Sequence, residues 1–315
     1  MALSISSSER SVFVYALAAL VFMGLALVNN SKPDTSYEFQ RKDDRFWLRK
    51  VFGHAPGTQN IIMIGDSRLY RGLSPAAFEA ALPGTKALNY GFSSGGHNPV
   101  IFADVDRMLT TDRGKPRAVI LAITPHSLTP RTQANEHYLS YRRRHGESAE
   151  ATPFSDYFRP LDSKRMRKII TGNLNIPTSD EISEYHDDGW LQTDWVKHDP
   201  AYALSSYQEL FTNNTVSQSI IDDVYRQTKI WRNQGIIVIG YRPPTTSSML
   251  ALETAKSGFD ESAFRAGFTK AGGLWVEPGP GYKSYDGSHL TPESAKKLSD
   301  LLAKTLVRAL PGHTN

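Results

Sequence analysis

The sequence predicts an α/β fold built on a mostly parallel sheet. Apolar runs of strand length recur along the chain, and amphipathic segments of helix length separate them. A parallel strand is buried on both faces, so it reads as a continuous apolar run rather than an alternating one. Prolines and glycines at the ends of the runs are typical stops. We therefore expect helices on both faces of the sheet.

The predicted elements follow in chain order. The first strand is NIIMIG at 60–65, and LSPAAFEAALPG at 73–84 contains a helix with Ser74 as N-cap and Pro75 in the first turn. The later strands are KALNYGF at 86–92, RAVILAI at 117–123, IIVIGYRPP at 236–244 and a weak LWVEP at 274–278. The later helices are expected at about 99–109, at 215–235, around 247–271 and at 291–310.

Composition excludes several classes of protein. The 315 residues are 40% hydrophobic and 22% charged, which is typical of one large folded domain or two small ones and not of a disordered chain. A formal charge of +4, spread along the chain, does not indicate a nucleic-acid-binding protein. The absence of cysteine excludes disulfides, thiolate catalysis and cysteine-bound zinc.

The N-terminal segment indicates export. Residues 11–28 are 18 consecutive uncharged positions, just enough to cross a hydrocarbon core of roughly 30 Å. A retained anchor is the main interpretation, and the alternatives are a cleaved signal, for which 24–26 offers a small-x-small site, and a buried core helix. Flanking charges leave the orientation open. Because a large domain after one apolar segment is usually translocated, we expect residues 1–30 to be a single-pass inner-membrane anchor and the domain to be periplasmic.

The rest of the chain divides into a linker, a domain and an insertion. Residues 31–59 are predicted to be a polar juxtamembrane linker, whose apolar cluster near 46–52 forms a short helix on the domain or on the membrane surface. The domain is expected at 60–310. The strand-helix alternation fails at about 125–214, and a structureless loop of that length is improbable, so we predict a largely helical insertion.

Aromatic side chains are frequent in the insertion, where they either stack on sugar rings or form a small core. The densest segment is YHDDGWLQTDW at 185–195, and we predict that Trp190 in this segment contacts substrate. Its His186, Asp187 and Asp188 are adjacent and cannot all converge on one ion, so no metal is predicted.

Two distant segments carry the residue types of a nucleophilic enzyme. Ser67 directly follows the first strand, and ligands of parallel sheets bind at the carboxyl ends of strands. Asp286 lies three residues before His289, just ahead of the last helix. A serine hydroxyl needs a base within hydrogen-bond reach, and the base needs an acceptor that fixes its tautomer. In a turn, Asp286 can hold one ring nitrogen of His289 and leave the other facing Ser67.

Other polar residues near Ser67 or near the predicted site have simpler interpretations. Asp66 is expected to cap the turn through backbone N–H groups. Arg68 either binds an anionic substrate or pairs with a carboxylate, and both interpretations are kept. His97 and His126 are interpreted as structural, although either could fall near the site.

With these residues the sequence resembles the SGNH, or GDSL-like, hydrolase superfamily. Its first block is matched by Gly65-Asp66-Ser67, its second by Asn89-Tyr90-Gly91-Phe92-Ser93 and its last by Asp286-Gly287-Ser288-His289. The resemblance implies a flavodoxin-like three-layer α/β/α sandwich with no cofactor. It also implies Ser67 as nucleophile, His289 as general base, Asp286 as its orienting partner, and an oxyanion hole containing the backbone N–H groups of Ser67 and Gly91.

The third block departs from the family pattern. There the family has Gly-x-Asn-Asp, whose Asn donates to the oxyanion, whereas LAITPHSL at 121–128 contains no Asn. Losing one such donor costs about 3 to 4 kcal/mol of transition-state stabilisation. Thr124, His126 and Asn98 are the candidates to replace it.

The resemblance extends to exported SGNH proteins that modify cell-surface polysaccharides, some of them beside membrane-bound O-acyltransferases. It implies O-acetyl transfer to such a polymer, or ester removal from it, with a membrane-bound O-acyltransferase as a possible partner. The competing class is a non-catalytic polysaccharide-binding or assembly protein with a decayed site. A purely structural anchor protein is a third class.

Overall fold

The structure of the protein is a computed structural model that describes residues 35–144 and 181–311. The chain divides into two compact units, Met1–Asp44 with Glu150–Thr178 and Arg45–Ala149 with Ser179–Asn315. Few residues of the first unit are described, and the elements below belong to the second from Arg45 onward. The predicted anchor at 11–28 lies outside the described residues. Within the described ranges, no helix has the length and apolar character needed to span a bilayer.

A parallel sheet forms the centre of the second unit. The described strands are β1 (Ile61–Ile64), β2 (Ala87–Asn89), β3 (Ala118–Ala122), β4 (Glu181–Tyr185), β5 (Leu191–Trp195), β6 (Ile237–Tyr241) and β7 (Leu274–Val276). Five of them pair in parallel in the order β2-β1-β3-β6-β7. Without the β4–β5 hairpin this is the 2-1-3-4-5 order of flavodoxin-like folds. The predicted α/β class with a mostly parallel sheet is confirmed.

The described helices alternate with these strands. They are α1 (Thr35–Phe52), α2 (Ser67–Gly72), α3 (Pro75–Ala81), α4 (Pro99–Met108), a 3₁₀ turn (His126–Leu128), α5 (Pro130–Gln133), α6 (Glu136–Arg142), α7 (Leu204–Leu210), α8 (Gln218–Asn233), α9 (Ser247–Lys256), α10 (Glu261–Lys270) and α11 (Pro292–Ala309). Side-chain caps mark several starts: Asn98, Thr246, Asp260 and Thr291 accept N–H groups from the first turns of α4, α9, α10 and α11.

Helices cover both faces of the sheet. Successive side chains of a strand point to opposite faces, and β1 uses this alternation. Ile62 and Ile64 pack in the core that includes α1, α4, α8 and α10, whereas Ile61 and Met63 pack in the core with α2, α3 and α11. The layers are therefore helix, sheet, helix, and the carboxyl ends of β1, β3 and β6 lie along one edge.

Helix α1 changes the predicted domain boundary. The segment at 31–59 was expected to be a linker, but Phe46, Trp47, Leu48 and Val51 are buried in the core beside the sheet. The compact unit begins at Arg45 rather than at residue 60. Of the two placements considered for the apolar cluster, packing on the domain is the one observed. The polar residues of α1 are abundant, so the buried face of this helix is recognised only from its tertiary contacts.

The described part of the insertion contains an element that was not predicted. Strands β4 and β5 form an antiparallel hairpin, with Glu181 opposite Trp195 and Tyr185 opposite Leu191. Leu191 and Thr193 are buried while the intervening side chains are more exposed. This alternation over five residues is a strand signal that could have identified the hairpin. The expectation of a largely helical insertion is thus corrected for residues 181–195.

Candidate active site

Ser67 is positioned by the end of β1. The strand stops at Gly65, where a Cβ would lie 2.9 Å from the Cβ of Ala122, so only glycine fits. Asp66 then caps α2, because its Oδ1 accepts the N–H of Arg68 at 3.0 Å. Its Oδ2 accepts the hydroxyl of Thr124 at 2.6 Å. These contacts fix Ser67 as the first residue of α2, half-buried at the carboxyl edge of the sheet.

Asp286 and His289 are fixed within one tight loop. Oδ1 of Asp286 accepts the backbone N–H of Ser288 at 2.8 Å and that of His289 at 2.7 Å. Gly287, which lies between Asp286 and Ser288, has φ +94°. A Cβ at this position would lie 2.1 Å from the carbonyl oxygen of Pro200. The loop therefore requires glycine at this position. It ends at Thr291, the N-cap of α11.

The two ends of the chain meet at three side chains. Nδ1 of His289 lies 2.6 Å from Oδ2 of Asp286, and Nε2 of the same ring lies 2.8 Å from Oγ of Ser67. When Nδ1–H donates to Asp286, Nε2 is left to accept the Ser67 hydroxyl. The structure thus brings together the three residues that the sequence proposed for a nucleophile, a base and its orienting acid. This arrangement can transfer a proton from Ser67 to His289.

Electrostatics hold Asp286 in the ionised form. Burial by itself would raise the pKa of Asp286, but hydrogen bonds from the His289 ring and from the backbone N–H groups of His289 and Ser288 lower it to about 2. The carboxylate can therefore stabilise an imidazolium at neutral pH.

Arg68 does not face a substrate. It is 2% exposed, and its Nη2 lies 2.7 Å from Oε1 of Glu253, which is 0% exposed. Its Nε donates to Oγ of Ser288 at 2.9 Å, and the guanidinium lies 4.8 Å from the ring centre of Tyr207. The predicted substrate-binding role is therefore corrected: Arg68 pairs with a carboxylate and connects the Ser67 segment to the Asp286–His289 loop.

Glu253 is shared by a second cation. Its Oε2 lies 2.8 Å from Nη2 of Arg242, and Arg242 also pairs with Glu261 at 2.6 Å. Tyr207, from the insertion, accepts the hydroxyl of Ser288 at 2.8 Å. Sequence analysis missed Glu253, Tyr207 and Ser288 because no local motif reports a partner that lies far away in the chain.

Trp190 is also corrected as a substrate contact. It is buried, its Nε1 donates to the carbonyl of Arg71 at 3.0 Å, and its ring stacks on His186 at 4.7 Å. The indole therefore attaches the hairpin to α2. Of its neighbours, Asp187 pairs with Arg49, and Asp188 accepts the N–H of Trp190 at 3.0 Å. In the described ranges, no group of His, Asp and Glu side chains is arranged to hold a metal ion.

Gly91 is not available as an oxyanion donor. Its N–H donates to Oδ1 of Asn89 at 3.2 Å, which contradicts the role implied by the resemblance. The turn that follows Gly91 lies against the carboxyl end of β1, because Phe92 donates its N–H to the carbonyl of Gly65 at 3.1 Å. Gly95 closes this turn by donating its N–H to the carbonyl of Phe92 at 3.0 Å. In this turn Ser94 is exposed with φ +48°. Within the described residues, the N–H groups of Ser67 and Ser94 make no hydrogen bond.

Two of the three candidates for the missing third-block Asn are already engaged. The side-chain Nδ2–H of Asn98 donates to the carbonyl of Gln133 at 3.2 Å, and the Thr124 hydroxyl donates to Asp66. His126 is buried, and within the described part of the chain its Nε2 has no hydrogen-bond partner. Burial lowers the pKa of His126, which favours the neutral ring.

Comparisons with known proteins give the following similarities. No protein-family model matches the chain, and no curated protein matches it. A solved structure described as a lipolytic protein of the G-D-S-L family from Desulfitobacterium hafniense is 11% identical with a TM-score of 0.36, covering 78% of this chain and 98% of its own. One described as an arylesterase from Agrobacterium tumefaciens is 12% identical with a TM-score of 0.36, covering 80% and 100%. The inhibitor-bound aryl esterase of M. smegmatis is 10% identical with a TM-score of 0.35, covering 80% and 100%.

These neighbours are GDSL-type lipolytic proteins and aryl esterases. Because similarity at this level is weak, conclusions about the chemistry of this chain rest on its own geometry.

Asp286→Asn should flatten the acid dependence of stability. A carboxyl group with its pKa lowered from 3.8 to about 2 stabilises the folded state above its unfolded pKa, and this contribution is lost as pH falls toward its folded pKa. In urea unfolding between about pH 2 and 6, we expect the free energy of unfolding of the wild type to fall by about 2 kcal/mol more than that of the variant. Exposed Asp300→Asn is the control and should behave like the wild type. Equal pH dependence in Asp286→Asn and the wild type would contradict this account.

Glu253→Gln should be strongly destabilising, by about 3 to 5 kcal/mol, because it leaves the Arg68 guanidinium buried without its carboxylate. The measurement is chemical denaturation at neutral pH. Glu277→Gln, which removes the exposed pair with Arg265, is the matched control and should cost at most about 1 kcal/mol. Similar small losses in both variants would show that the buried pair does not hold the site together.

Proposed function

We propose that this chain is an exported serine-dependent acyl-ester enzyme of the SGNH type. In this proposal it transfers O-acetyl groups to a cell-surface polysaccharide or removes them. The observation that carries the catalytic part is the relay from Ser67 Oγ to His289 Nε2 at 2.8 Å and from His289 Nδ1 to Asp286 at 2.6 Å. A decayed, non-catalytic site would not need the Ser67–His289 contact, the His289–Asp286 contact or an ionised Asp286.

The first half-reaction forms an acyl-enzyme. Oγ of Ser67 attacks the acyl carbonyl carbon while its proton passes to Nε2 of His289, and Asp286 stabilises the imidazolium that results. Collapse of the tetrahedral intermediate breaks the ester bond, and the leaving alcohol takes the proton from His289. The acetyl group is then bound to Ser67.

The second half-reaction returns the serine. A sugar hydroxyl gives its proton to Nε2 of His289 and attacks the acetyl carbon. Collapse of the tetrahedral intermediate breaks the bond to Oγ of Ser67, which takes the proton back from His289, and the new ester is formed. Water in place of the sugar gives hydrolysis by the same steps, so transfer requires an acceptor that excludes water.

The oxyanion would be stabilised by backbone donors. We assign this role to the N–H groups of Ser67 and Ser94, since both are without a partner in the described ranges and the Phe92–Gly95 turn is bound to Gly65. His126 is our candidate for the donor that the third block otherwise supplies. A neutral imidazole carries one N–H, which is the chemistry the position needs.

The proposed location rests on the N-terminal sequence, and the proposed partners rest on the family resemblance. The uncharged segment at 11–28 supports a single-pass inner-membrane anchor with the catalytic unit in the periplasm. A polysaccharide is then the acceptor or substrate, and a membrane-bound O-acyltransferase is the candidate donor partner.

Ser67→Ala should abolish covalent labelling by a fluorophosphonate and the release of nitrophenol from p-nitrophenyl acetate. Both signals require the same hydroxyl, because each forms a bond to Oγ. Exposed Ser205→Ala is the control and should retain both. If the folded wild type gives neither signal but retains polysaccharide, the non-catalytic binding protein is the correct class.

An acceptor experiment separates transferase from esterase. With an acetyl donor and a polysaccharide-derived oligosaccharide, the proposal predicts acetylated oligosaccharide by mass spectrometry and none with Ser67→Ala. If only free acetate forms, with no acetylated product at any acceptor concentration, the protein acts as an esterase and not as a transferase.

A further inference from the structure

Lys50 is a buried lysine in a helix that the mechanism does not use. It lies near the end of α1 and is 1% exposed. Four ring centres surround its Nζ, those of Phe46 at 4.8 Å, Trp47 at 4.9 Å, Tyr70 at 5.5 Å and Phe92 at 5.6 Å. We call these four rings the aromatic box. A cation in such a box is attracted by the negative faces of the rings.

Inside the aromatic box, Lys50 makes a hydrogen bond as a donor. Nζ donates to the carbonyl oxygen of Gly91 at 2.9 Å. An ammonium has three donors and no acceptor, and ring faces surround it on the other sides. The position of the Gly91 carbonyl is therefore tied to the position of Lys50.

The elements that meet at Lys50 are those that build the site. Tyr70 belongs to α2, whose first residue is Ser67. Gly91 and Phe92 lead into the turn that ends at Gly95 and is bound to Gly65.

The tip of the β4–β5 hairpin closes the same region. A Cβ on Gly189 would lie 2.9 Å from Cε of Lys50 and 2.2 Å from the carbonyl oxygen of Asn89. Asn89 in turn donates its N–H to the carbonyl of Asp188 at 2.9 Å. The lysine is thus enclosed by three separate segments of the chain.

We propose that Lys50 is a positioning residue for the reaction. From α1 it holds the Gly91 carbonyl and thereby the start of the Phe92–Gly95 turn, which is bound to Gly65 two residues before Ser67. In the proposed function this turn supplies the Ser94 N–H to the oxyanion. This inference rests on the proposed function for its catalytic consequence. It also makes α1, the helix that follows the N-terminal apolar segment, part of the catalytic unit rather than a tether.

A lysine that only filled space would behave differently. An unbranched apolar side chain of nearly the same length would then serve as well, since burial lowers the pKa of Lys50 and makes the charged form costly. Lys50→Met makes that replacement. Lys42→Met, in the exposed part of the same helix, is the matched control.

The first test measures turnover per active serine in the full-length chain. Fluorophosphonate titration counts the folded sites, and hydrolysis of p-nitrophenyl acetate gives kcat and KM. We expect Lys50→Met to lower kcat per titrated site by about tenfold or more, since a displaced oxyanion donor costs up to 10²- to 10³-fold. KM should change less than about twofold, because such a donor acts on the transition state. Lys42→Met should match the wild type, and an unchanged kcat per site in Lys50→Met would overturn the proposal.

A second pair of variants covers the case in which Lys50→Met does not fold. Phe46→Leu opens the box and leaves Lys50 in place, whereas Val51→Ala removes buried volume from the same helix. We expect both to lower the melting temperature and only Phe46→Leu to lower kcat per titrated site. Equal kcat values in the two variants would overturn the proposal.

Deuterium exchange tests the same contact without any activity. We expect the backbone amides of residues 89–95 to exchange faster in Lys50→Met, or in Phe46→Leu, than in the wild type and in Lys42→Met. If Ser67 proves unreactive, the proposed function fails while this result still supports the role of Lys50 in holding the loop. Unchanged exchange in that loop would overturn that role whatever the activity.

Discussion

The whole site depends on one docking contact, in which the loop before the last helix lies against the residues that follow the first strand. Ser67 and His289 are 222 positions apart in the chain, so neither chain end contains a reactive unit by itself. The contact is made through the Ser67 hydroxyl, through Arg68, whose Nε donates to Ser288, and through Arg71, whose Nη1 donates to the Tyr285 hydroxyl. The buried charge of Arg68 is tolerated because Glu253 lies beside it, and removing Glu253 would leave an uncompensated cation next to Ser67.

The elements of the sheet could be predicted because their signal is local. A continuous apolar run such as 60–65 and a Pro or Gly stop identify a buried strand without knowledge of its neighbours. The edge at which Ser67 lies then follows from parallel strand pairing. The contact between Asp286 and His289 could also be predicted from the sequence, since a three-residue spacing in a turn fixes the geometry of the pair. A short helix was predicted near 46–52, but the start of α1 at Thr35 and the β4–β5 hairpin were not, because the polar residues of α1 and the short alternation in β5 give weak local signals.

The roles of individual side chains were less predictable because they depend on distant partners. Arg68 follows the nucleophile and suggests an anion site, yet Glu253 takes its charge. Trp190 suggests an exposed platform, yet its indole N–H is bound to Arg71 and its ring is buried. Gly91 matches a motif, yet its N–H is used by Asn89. For Arg68 and Trp190 a long-range contact decides what the residue does, whereas for Gly91 a contact with Asn89, two residues away, decides it.

The most direct measurement is a crystal structure of the protein after reaction with a fluorophosphonate. The account predicts phosphorus bonded to Oγ of Ser67, with a phosphoryl oxygen about 2.7 to 3.1 Å from the N–H of Ser67 and the His289 ring still hydrogen-bonded to Asp286. Phosphorus on another residue, or an adduct at Ser67 with His289 turned away from Asp286 and from the adduct, would contradict it.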